Sequence, residues 1–316
     1  MRRLLILASL AAVAACSPSQ ERTWELTAQG IYAGVISQDS RLALVGSLNH
    51  GASLWRISDY ERLYDWNHKA ETPVELVAAA FSPDGSRAVT TDPRTLVMWD
   101  TVTGESLQFW GTPGAVMDAK VLAGGTDVLL GMEDHSAILF DATDGTHKQT
   151  LLHEGQVTTV DVTADGELAV TGSDDNRSIL WSLASGQAIA EIDHGNPVRE
   201  VTLSADGAWL LTAVSNDRVA LWQARSGTLK HVLHKRNPGV TAAQFSADGS
   251  LLLLGTVNRQ VELWKVETGT RVKRWTVRAK NPWHPTGGAI LDLAFTNTPG
   301  QFRALAGDGR LADLRG

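Results

Sequence analysis

The chain has 316 residues, a formal net charge of −7 and a single cysteine. This length suits one large domain, and the acidic balance argues against general binding to nucleic acid. A lone cysteine excludes a framework of internal disulfides, so the fold must be stabilised by packing.

The first 15 residues have the pattern of a secretory signal peptide. Met1-Arg2-Arg3 is a basic start, and Leu4 to Ala15 form an apolar stretch rich in alanine. That stretch is too short for a permanent transmembrane helix, which needs about 20 apolar residues. We expect residues 1–15 to be removed, which changes the formal charge from −7 to −9.

The sole cysteine follows this stretch directly. Val13-Ala14-Ala15-Cys16 resembles a bacterial lipobox, and the resemblance implies that Cys16 becomes the first mature residue and carries lipid. Two or more acyl chains anchor a protein stably, because each buried methylene contributes about 0.8 kcal/mol. By the same resemblance, Ser17 favours the outer membrane, facing the periplasm, over the inner membrane. Residues 16–22 would then be a lipidated tether. The alternative is an ordinary signal peptide in which Cys16 is incidental.

Residues 23–316 contain a repeated unit of four short strand-like runs. In residues 151–192, an apolar run (157–162) is followed by the turn Asp165-Gly166 and a second run, and a third run ends at Trp181. A fourth, more mixed run completes the unit. Tight glycine turns between short β-rich runs indicate hairpins, so each unit is predicted to be a four-stranded antiparallel sheet.

The residue that closes the third run marks the repeat along the whole chain. It recurs at intervals of 41 to 50 residues, at Trp55, Trp99, Phe140, Trp181, Trp222, Trp264 and Leu314. A period of about 40–45 residues with four strands indicates a β-propeller. The chain resembles the WD40-repeat β-propeller family over residues 23–316. The resemblance implies an all-β, seven-bladed, monomeric ring that binds a protein or peptide partner.

The two ends of the repeat region predict how the ring closes. The last unit stops after three strands, at Leu314, whereas an extra strand-like piece, Thr23 to Thr27, precedes the first unit. In propellers of this family the amino-terminal strand often completes the last blade. We therefore predict that residues 23–28 form the outermost strand of blade seven, which removes exposed sheet edges. Trp66, Trp110 and Trp275 fall on other outer strands, where we expect packing at the rim.

Sets of polar residues in the repeats resemble catalytic groups. In WD40 repeats a histidine, an aspartate and a tryptophan are linked by hydrogen bonds, together with a hydroxyl from the second strand. Three sets fall at these positions: His153, Thr171, Asp175 and Trp181; His194, Asp217 and Trp222; and, in weakened form, His234, Asn258 and Trp264. A Thr-His-Asp set also resembles a hydrolase triad. Recurrence in successive blades, without a nucleophile-elbow sequence, favours a structural role.

Neither a metal site nor a cofactor site is predicted. His231 and His234 are three residues apart on a strand, which places their side chains on opposite faces. The sequence has no glycine-rich phosphate loop, no paired cysteines and no HExxH motif. We therefore expect no cofactor and no enzymatic activity.

The longest insertion between repeats contains the candidate interaction residues. The segment 277–288 precedes blade seven and carries Arg278, Lys280, Trp283 and His284 among prolines and glycines. A semi-rigid loop that presents a tryptophan and cations is typical of an interaction hot spot. The alternative is a closure loop that packs on its own blade.

Positive charge is concentrated in the same part of the chain. Residues 218–280 hold twelve of the 28 lysines and arginines against three carboxylates, so this segment carries +9 and the remainder −16. One side of the ring should therefore be basic, which suits an acidic partner or anionic lipid headgroups. The alternative is a solvated face without a partner.

Together these features predict a lipid-anchored, non-enzymatic propeller that acts as a protein-interaction scaffold at the cell envelope. One alternative is an enzyme or a ligand-binding propeller, with or without a cofactor, that uses the central channel. It would require a cluster of non-repeating polar groups there, and the sequence pattern identifies none. A third possibility is a sensor whose ligand is a peptide.

Overall fold

The computed structural model describes residues 22–28, 30–47, 51–68, 75–279 and 288–316. In these residues the chain forms seven four-stranded antiparallel sheets, each a blade of a closed β-propeller. The predicted fold and blade number are confirmed, and each residue that marks the repeat lies on the third strand of its blade.

The strands of the first four blades follow the chain in order. Blade one has β2 (Ile31–Ile36), β3 (Leu42–Ser47), β4 (Gly51–Arg56) and β5 (Glu61–Trp66). Blade two has β6 (Ala78–Phe81), β7 (Arg87–Thr91), β8 (Thr95–Asp100) and β9 (Ser106–Gly111). Blade three has β10 (Val116–Val121), β11 (Asp127–Met132), β12 (Ser136–Asp141) and β13 (His147–Leu152). Blade four has β14 (Val157–Val162), β15 (Leu168–Ser173), β16 (Arg177–Ser182) and β17 (Gln187–Asp193).

The remaining blades continue this pattern, except that the last blade takes its outer strand from the chain's start. Blade five has β18 (Val198–Leu203), β19 (Trp209–Val214), β20 (Val219–Gln223) and β21 (Thr228–His234), with a 3₁₀ turn at Ala224–Ser226. Blade six has β22 (Val240–Phe245), β23 (Leu251–Thr256), β24 (Gln260–Lys265) and β25 (Thr270–Thr276). Blade seven has β26 (Ile290–Phe295), β27 (Gln301–Ala306), β28 (Arg310–Arg315) and β1 (Arg22–Glu25).

The core of the molecule lies between neighbouring blades. The first strands of the seven blades contact one another in ring order and surround a central channel. One apolar cluster, for example, combines Leu129 and Leu139 of blade three with Val160 and Trp181 of blade four. The middle strands are therefore buried on both faces, which explains their continuous apolar runs.

Asp-Gly pairs at 84–85, 165–166, 206–207 and 248–249 turn the chain between the first and second strands of blades two, four, five and six. In blade four the Thr163 hydroxyl donates to Asp165 Oδ1 at 2.5 Å, and Gly166 adopts a φ of +73° that favours glycine. These hydrogen bonds, from the Thr163 hydroxyl first and from the Glu167 N–H, lower the pKa of the Asp165 carboxyl. The recurring Asp-Gly pairs thus act as turn residues.

Outer-strand tryptophans link three of the blades to the blade that follows. Trp66 Nε1 donates to Gly104 O at 3.0 Å, Trp110 Nε1 to Ala142 O at 2.9 Å, and Trp275 Nε1 to Arg315 O at 2.9 Å. Each acceptor lies at the end of the third strand, or in the turn after it, in the following blade. Rim packing therefore comes with a hydrogen bond that satisfies the buried indole N–H.

Closure of the ring follows the predicted arrangement. Strand β1 pairs antiparallel with β28, and the register places Arg22 opposite Asp313 and Glu25 opposite Arg310. The strand is shorter than the predicted segment 23–28, but the next residue, Leu26, is buried and its N–H donates to Gly309 O at 2.9 Å. Blade seven is therefore built from both ends of the propeller.

The described residues contain no helix that is both long and apolar enough to cross a membrane. Residues 1–21 lie outside the described part of the chain, and with them the predicted signal peptide, Cys16 and most of the tether.

We predict that deletion of residues 23–28 lowers the thermal unfolding midpoint of the whole ring by several degrees. The deletion removes the strand that covers the β28 edge and the buried Leu26 side chain. The measurement is thermal unfolding followed by circular dichroism. A matched deletion of residues 17–21 leaves β1 intact and should not change the midpoint. Equal midpoints for the two deletions would contradict the importance of this closure.

Candidate functional site

The polar set of blade four forms a continuous hydrogen-bonded chain. His153 Nδ1 lies 2.7 Å from Asp175 Oδ2, and His153 Nε2 lies 2.6 Å from Thr171 Oγ1. Trp181 Nε1 donates to the same hydroxyl at 2.8 Å. Since the Asp175 carboxylate accepts a hydrogen bond from Nδ1–H, Nε2 is left to accept the Thr171 O–H, and the hydroxyl oxygen accepts the indole N–H.

In this geometry the Thr171 hydroxyl has a structural role. The Thr171 side chain is fully buried, so it does not meet a substrate from solvent. Burial acts to raise the pKa of Asp175, but hydrogen bonds from the Glu154 N–H and from His153 lower it below its usual value. The carboxylate thus remains ionised and orients the imidazole, which supports the turn between the second and third strands.

Blade two contains a fourth set that the sequence analysis did not identify. His68 Nε2 lies 2.9 Å from Thr90 Oγ1, Trp99 Nε1 donates to the same hydroxyl at 2.8 Å, and His68 Nδ1 lies 2.6 Å from Thr95 Oγ1. Asp92 Oδ2 is 3.5 Å from Nδ1. Burial lowers the pKa of His68, and Asp92 opposes that shift.

The spacing of this set differs from that of blade four. The distance along the chain from histidine to tryptophan is 31 residues here and 28 in blade four, so a fixed template misses His68. The available signal was a histidine soon after an outer strand, followed by a threonine nine residues before the tryptophan.

The predicted set of blade five is not assembled as expected. Trp222 Nε1 donates to Thr212 Oγ1 at 2.8 Å, but His194 Nε2 pairs at 2.8 Å with Ser178 Oγ of the preceding blade. Asp217 makes no hydrogen bond to the His194 imidazole. Asp217 misses the imidazole because of its position in the sequence. It precedes Trp222 by five residues, whereas Asp175 precedes Trp181 by six.

The environment of His194 therefore differs from that of His153. His194 is buried, and its Nδ1 has no hydrogen-bond partner within the part of the chain that the structure describes. Burial first, and then the nearby Arg218 guanidinium, lower the pKa of His194 to about 4. This imidazole is neutral at physiological pH and does not bear the charge of a general acid.

Blade six uses a carboxylate where blade four uses a hydroxyl. Leu254 occupies the position ten residues before Trp264, so no hydroxyl is available there. Glu262 Oε2 instead accepts from Trp264 Nε1 at 3.1 Å and lies 2.7 Å from His234 Nε2, and its Oε1 accepts from Arg271 at 2.8 Å. Asn258, the predicted member of this set, instead donates its backbone N–H to the Thr256 hydroxyl.

The two histidines considered for metal binding have separate partners. His231 Nε2 lies 2.8 Å from Glu267 O, whereas His234 contacts Glu262. Among the residues that the structure describes, no group of three or more histidine, cysteine, aspartate or glutamate side chains is arranged to hold a metal ion.

The predicted interaction loop is only partly described. Arg278 lies two residues beyond β25 and is exposed, at the end of the ring where outer strands connect to the next blade. Lys280, Trp283 and His284 lie outside the described residues. The opposite end of the ring has a groove of about 610 Å³ lined by parts of blades seven, one and two, including the highly exposed Val102.

The central channel holds a polar cluster that the sequence analysis did not identify. It comprises Asp118 and Lys120 of blade three, Asp161 of blade four, Glu200 of blade five and Asp292 of blade seven. Lys120 Nζ lies 3.5 Å from Asp161 Oδ1, and the electrostatic influence of the other three carboxylates also reaches this ammonium. One lysine thus faces four carboxyl groups.

Three members of the cluster also hold blades together. Asp118 accepts a hydrogen bond from the Val160 N–H at 2.8 Å, Asp161 from the Leu203 N–H at 2.8 Å, and Asp292 from the Ile36 N–H at 2.6 Å. Each acceptor carboxylate therefore joins the first strand of one blade to the first strand of the next. Glu200 makes no such hydrogen bond among the described residues.

The enclosure of so many carboxyl groups within the ring changes their acidity. Desolvation raises the pKa of Glu200 to about 8, although Lys120 opposes the shift and neighbouring carboxylates add to it. Desolvation also raises the pKa of Asp292 to about 6, against the stabilising Ile36 N–H, and raises the pKa of Asp118. The Asp161 carboxylate is the main cause of the raised pKa of Lys120. Within the channel, Glu200 and Asp292 are therefore the groups that we expect to hold protons closest to neutral pH.

The sequence contained a signal for this cluster. Inner strands that are buried on both faces should be apolar, yet VMDAKV, VREVTL and ILDLAF each carry a charge near the middle. Near the cluster the channel widens into a cavity of about 330 Å³, whose lining includes Lys120, Asp161 and Asp292.

Comparison with known families supports the fold in two blades. The model described as WD domain, G-beta repeat, matches residues 145–182 and 186–223. The first range contains the complete hydrogen-bonded set of blade four, and the second contains the altered set of blade five. No curated protein matches the chain at a significant level. The chain is thus a seven-bladed propeller in which two successive ranges match the WD-repeat model.

We predict that Thr171→Val destabilises the ring by about 2–4 kcal/mol, because two buried partners lose their hydrogen bond. The matched control is Thr212→Val, which removes only the Trp222 partner and should cost about 1–2 kcal/mol. Equilibrium unfolding in urea provides both values. Equal losses would show that the Thr171–His153 contact does not contribute.

We predict that the ring is less stable at pH 8 than at pH 5, because of Glu200. The folded state holds a proton that the unfolded state releases above pH 4.5, so stability falls as pH rises through the folded pKa of about 8. Glu200→Gln should flatten the dependence of the unfolding midpoint on pH. Glu105→Gln, which removes an exposed carboxyl group far from the channel, should leave the wild-type slope unchanged.

Proposed function

We propose that this protein is a lipid-anchored scaffold of the cell envelope that binds a protein or peptide partner without catalysis. The observation that carries the proposal is the closed seven-bladed ring with two WD-repeat matches, since propellers of this kind commonly serve as protein-interaction scaffolds. A rigid ring presents broad surfaces at both ends, formed by turns and loops on a fixed framework.

The polar residues of the blades support a scaffold over a hydrolase. The Thr171 hydroxyl, which would be the nucleophile of a triad, is fully buried and already engaged with His153 and Trp181. In blade six the corresponding hydroxyl is replaced by the Glu262 carboxylate, and the tryptophan is still held. The hydroxyl and the carboxylate both accept a hydrogen bond from a buried indole N–H, and this shared role requires no reaction.

Anchoring rests on the amino terminus. The basic start, the short apolar stretch and the sole cysteine of the chain at position 16 support export and lipidation. Strand β1 begins at Arg22, so a lipid on Cys16 would be attached through a short tether to the outer edge of blade seven. We place the protein at the outer membrane, facing the periplasm, in preference to the inner membrane.

The partner surface proposed for the scaffold is the loop that precedes blade seven, with Arg278, Lys280, Trp283 and His284. A tryptophan among cations is a typical centre of binding energy at protein interfaces. A regulated form of the same proposal is a sensor whose partner is a peptide.

A second candidate function is a ligand-binding propeller that uses the central channel. The observation that favours it is the polar cluster around Lys120 beside a cavity of about 330 Å³. Its carboxylates also serve as acceptors between blades, which explains much of the cluster without a ligand.

One experiment tests anchoring and partner binding together. Cells expressing the wild-type chain, Cys16→Ser, or the combined variant Arg278→Glu, Lys280→Glu, Trp283→Ala are crosslinked, fractionated and analysed for copurifying proteins. We expect Cys16→Ser to leave the membrane fraction after a high-salt wash, and the loop variant to remain there but to lose a defined partner.

The matched control carries Arg62→Glu, Arg94→Glu and Phe109→Ala, which change two exposed cations and one exposed aromatic residue on blades one and two. It should keep both membrane binding and the partner. Retention of Cys16→Ser in the membrane after a high-salt wash, which screens contacts between surface charges, would contradict lipid anchoring. Loss of the partner in the control would place the binding surface elsewhere, and absence of any reproducible partner would favour the channel ligand.

A further inference from the structure

The outer strands of blades five and six form a surface that differs from the rest of the rim. We call it the basic wall and define it by β21, β25, Lys235, Arg236 and Lys265. Its two strands carry Lys230, Arg271, Lys273 and Arg274 and no carboxylate. By contrast, the outer strand of blade four carries Glu191 and Asp193 and no cation.

Most cations of the basic wall are available to an external anion. Lys230, Lys235, Arg236, Lys265 and Arg274 are exposed, and none of them forms an ion pair within the described part of the chain. Arg271 and Lys273 have internal partners, Glu262 and the Arg315 carbonyl, and these keep the strand in place. The wall therefore presents a local excess of positive charge on a molecule that is acidic as a whole.

Apolar side chains lie between these cations. Leu229 is 42% exposed, Val232 is 44% exposed and Val272 is 51% exposed, all on the outer strands of the wall. Aliphatic groups next to Lys and Arg suit the boundary between lipid headgroups and acyl chains, because the apolar groups gain from burial while the cations pair with anionic headgroups.

The wall is continuous with the strand that carries the tether. His231 contacts the Glu267 carbonyl and joins blades five and six, whereas Lys273 and Trp275 both donate to the Arg315 carbonyl and join blades six and seven. Strand β1, which begins at Arg22, is the outer strand of blade seven. Because six residue steps span at most about 20 Å, a lipid on Cys16 would lie near this side of the rim.

We propose that the basic wall rests on an anionic lipid bilayer and holds the propeller on its edge. The inference rests on the proposed lipid anchor and adds an orientation to it. In this orientation the ring axis is parallel to the membrane plane, so both ends of the ring remain open to partners. The charge of the wall, its exposed aliphatic groups and its position beside the tether favour a lipid surface over an acidic protein.

The first test measures binding to vesicles with the mature chain, residues 16–316, carrying Cys16→Ser, so that neither acylation nor the apolar segment 1–15 contributes. Vesicles of phosphatidylcholine mixed with phosphatidylglycerol are compared with vesicles of phosphatidylcholine alone. Neutralising Lys230, Lys265 and Arg274 together (Lys230→Gln, Lys265→Gln, Arg274→Gln) should weaken binding to the anionic vesicles on the order of one hundred-fold. Binding to neutral vesicles should not change.

The matched control neutralises three exposed cations on blades one and two, with Arg41→Gln, Arg62→Gln and Arg94→Gln. It changes the net charge equally and should bind the anionic vesicles like the parent chain. An equal loss in the two triple variants would overturn the proposal, because net charge rather than the wall would control binding. Unchanged binding of the wall variant to the anionic vesicles would overturn it as well.

A second test locates the contact. Because Cys16 is the only cysteine, Val272→Cys on the Cys16→Ser chain provides a single thiol for an environment-sensitive fluorophore. Its emission should shift to the blue on anionic vesicles, whereas a label at Phe109→Cys, on the outer strand of blade two, should not shift. These two positions are similarly exposed, at 51% and 48%.

The remaining outcomes distinguish failure of the lipid-surface proposal from failure of the lipid anchor on which it rests. Tight binding of poly-glutamate without a fluorophore shift at position 272 on vesicles would overturn the lipid assignment in favour of an acidic protein. Failure of the anchor appears instead as retention of Cys16→Ser in the membrane fraction of cells after a high-salt wash, which screens the charge contacts of the wall. The vesicle measurements do not depend on acylation, so the two failures are distinguishable.

Discussion

The pairing of β1 with β28 is the constraint on which the rest of the ring depends. In a propeller, every blade packs on two neighbouring blades only if the last blade packs on the first. An incomplete last blade would also leave an unpaired strand edge. Here the strand that completes blade seven comes from the start of the chain, and Trp24 stacks on Tyr60 of blade one with ring centroids 4.1 Å apart. Closure therefore joins the two ends of the domain and links the last blade to the first.

Closure also fixes where any amino-terminal anchor is attached. Since β1 is the outer strand of blade seven, a segment that precedes Arg22 is attached at the rim and not at the channel. The basic wall of blades five and six is the neighbouring part of that rim. An anchor beside a cationic surface confines the molecule more strongly than either feature alone, because the second contact becomes intramolecular.

Polar groups inside the ring have two different origins. In blades two, four, five and six, a group near the second or third strand accepts from a buried indole, and the partner changes from threonine to glutamate as the local sequence requires. In the channel, carboxylates from different blades are brought together by the ring itself. The first kind supports single blades and repeats along the chain, whereas the second kind exists only in the closed ring.

The sequence by itself determined the blade number, the third-strand positions and the closing strand, because each depends on local turns and on a period that one chain carries. It also indicated the hydrogen-bonded set of blade four. It did not reveal that Asp217 is misplaced by one residue, or that His68 and Glu262 take part in equivalent contacts, since these depend on how individual turns and connections fold. Only the tertiary structure placed Asp118, Lys120, Asp161, Glu200 and Asp292 in one channel. These residues are up to 174 positions apart along the chain, and their acidity follows from their mutual distances and from desolvation, which no local pattern records.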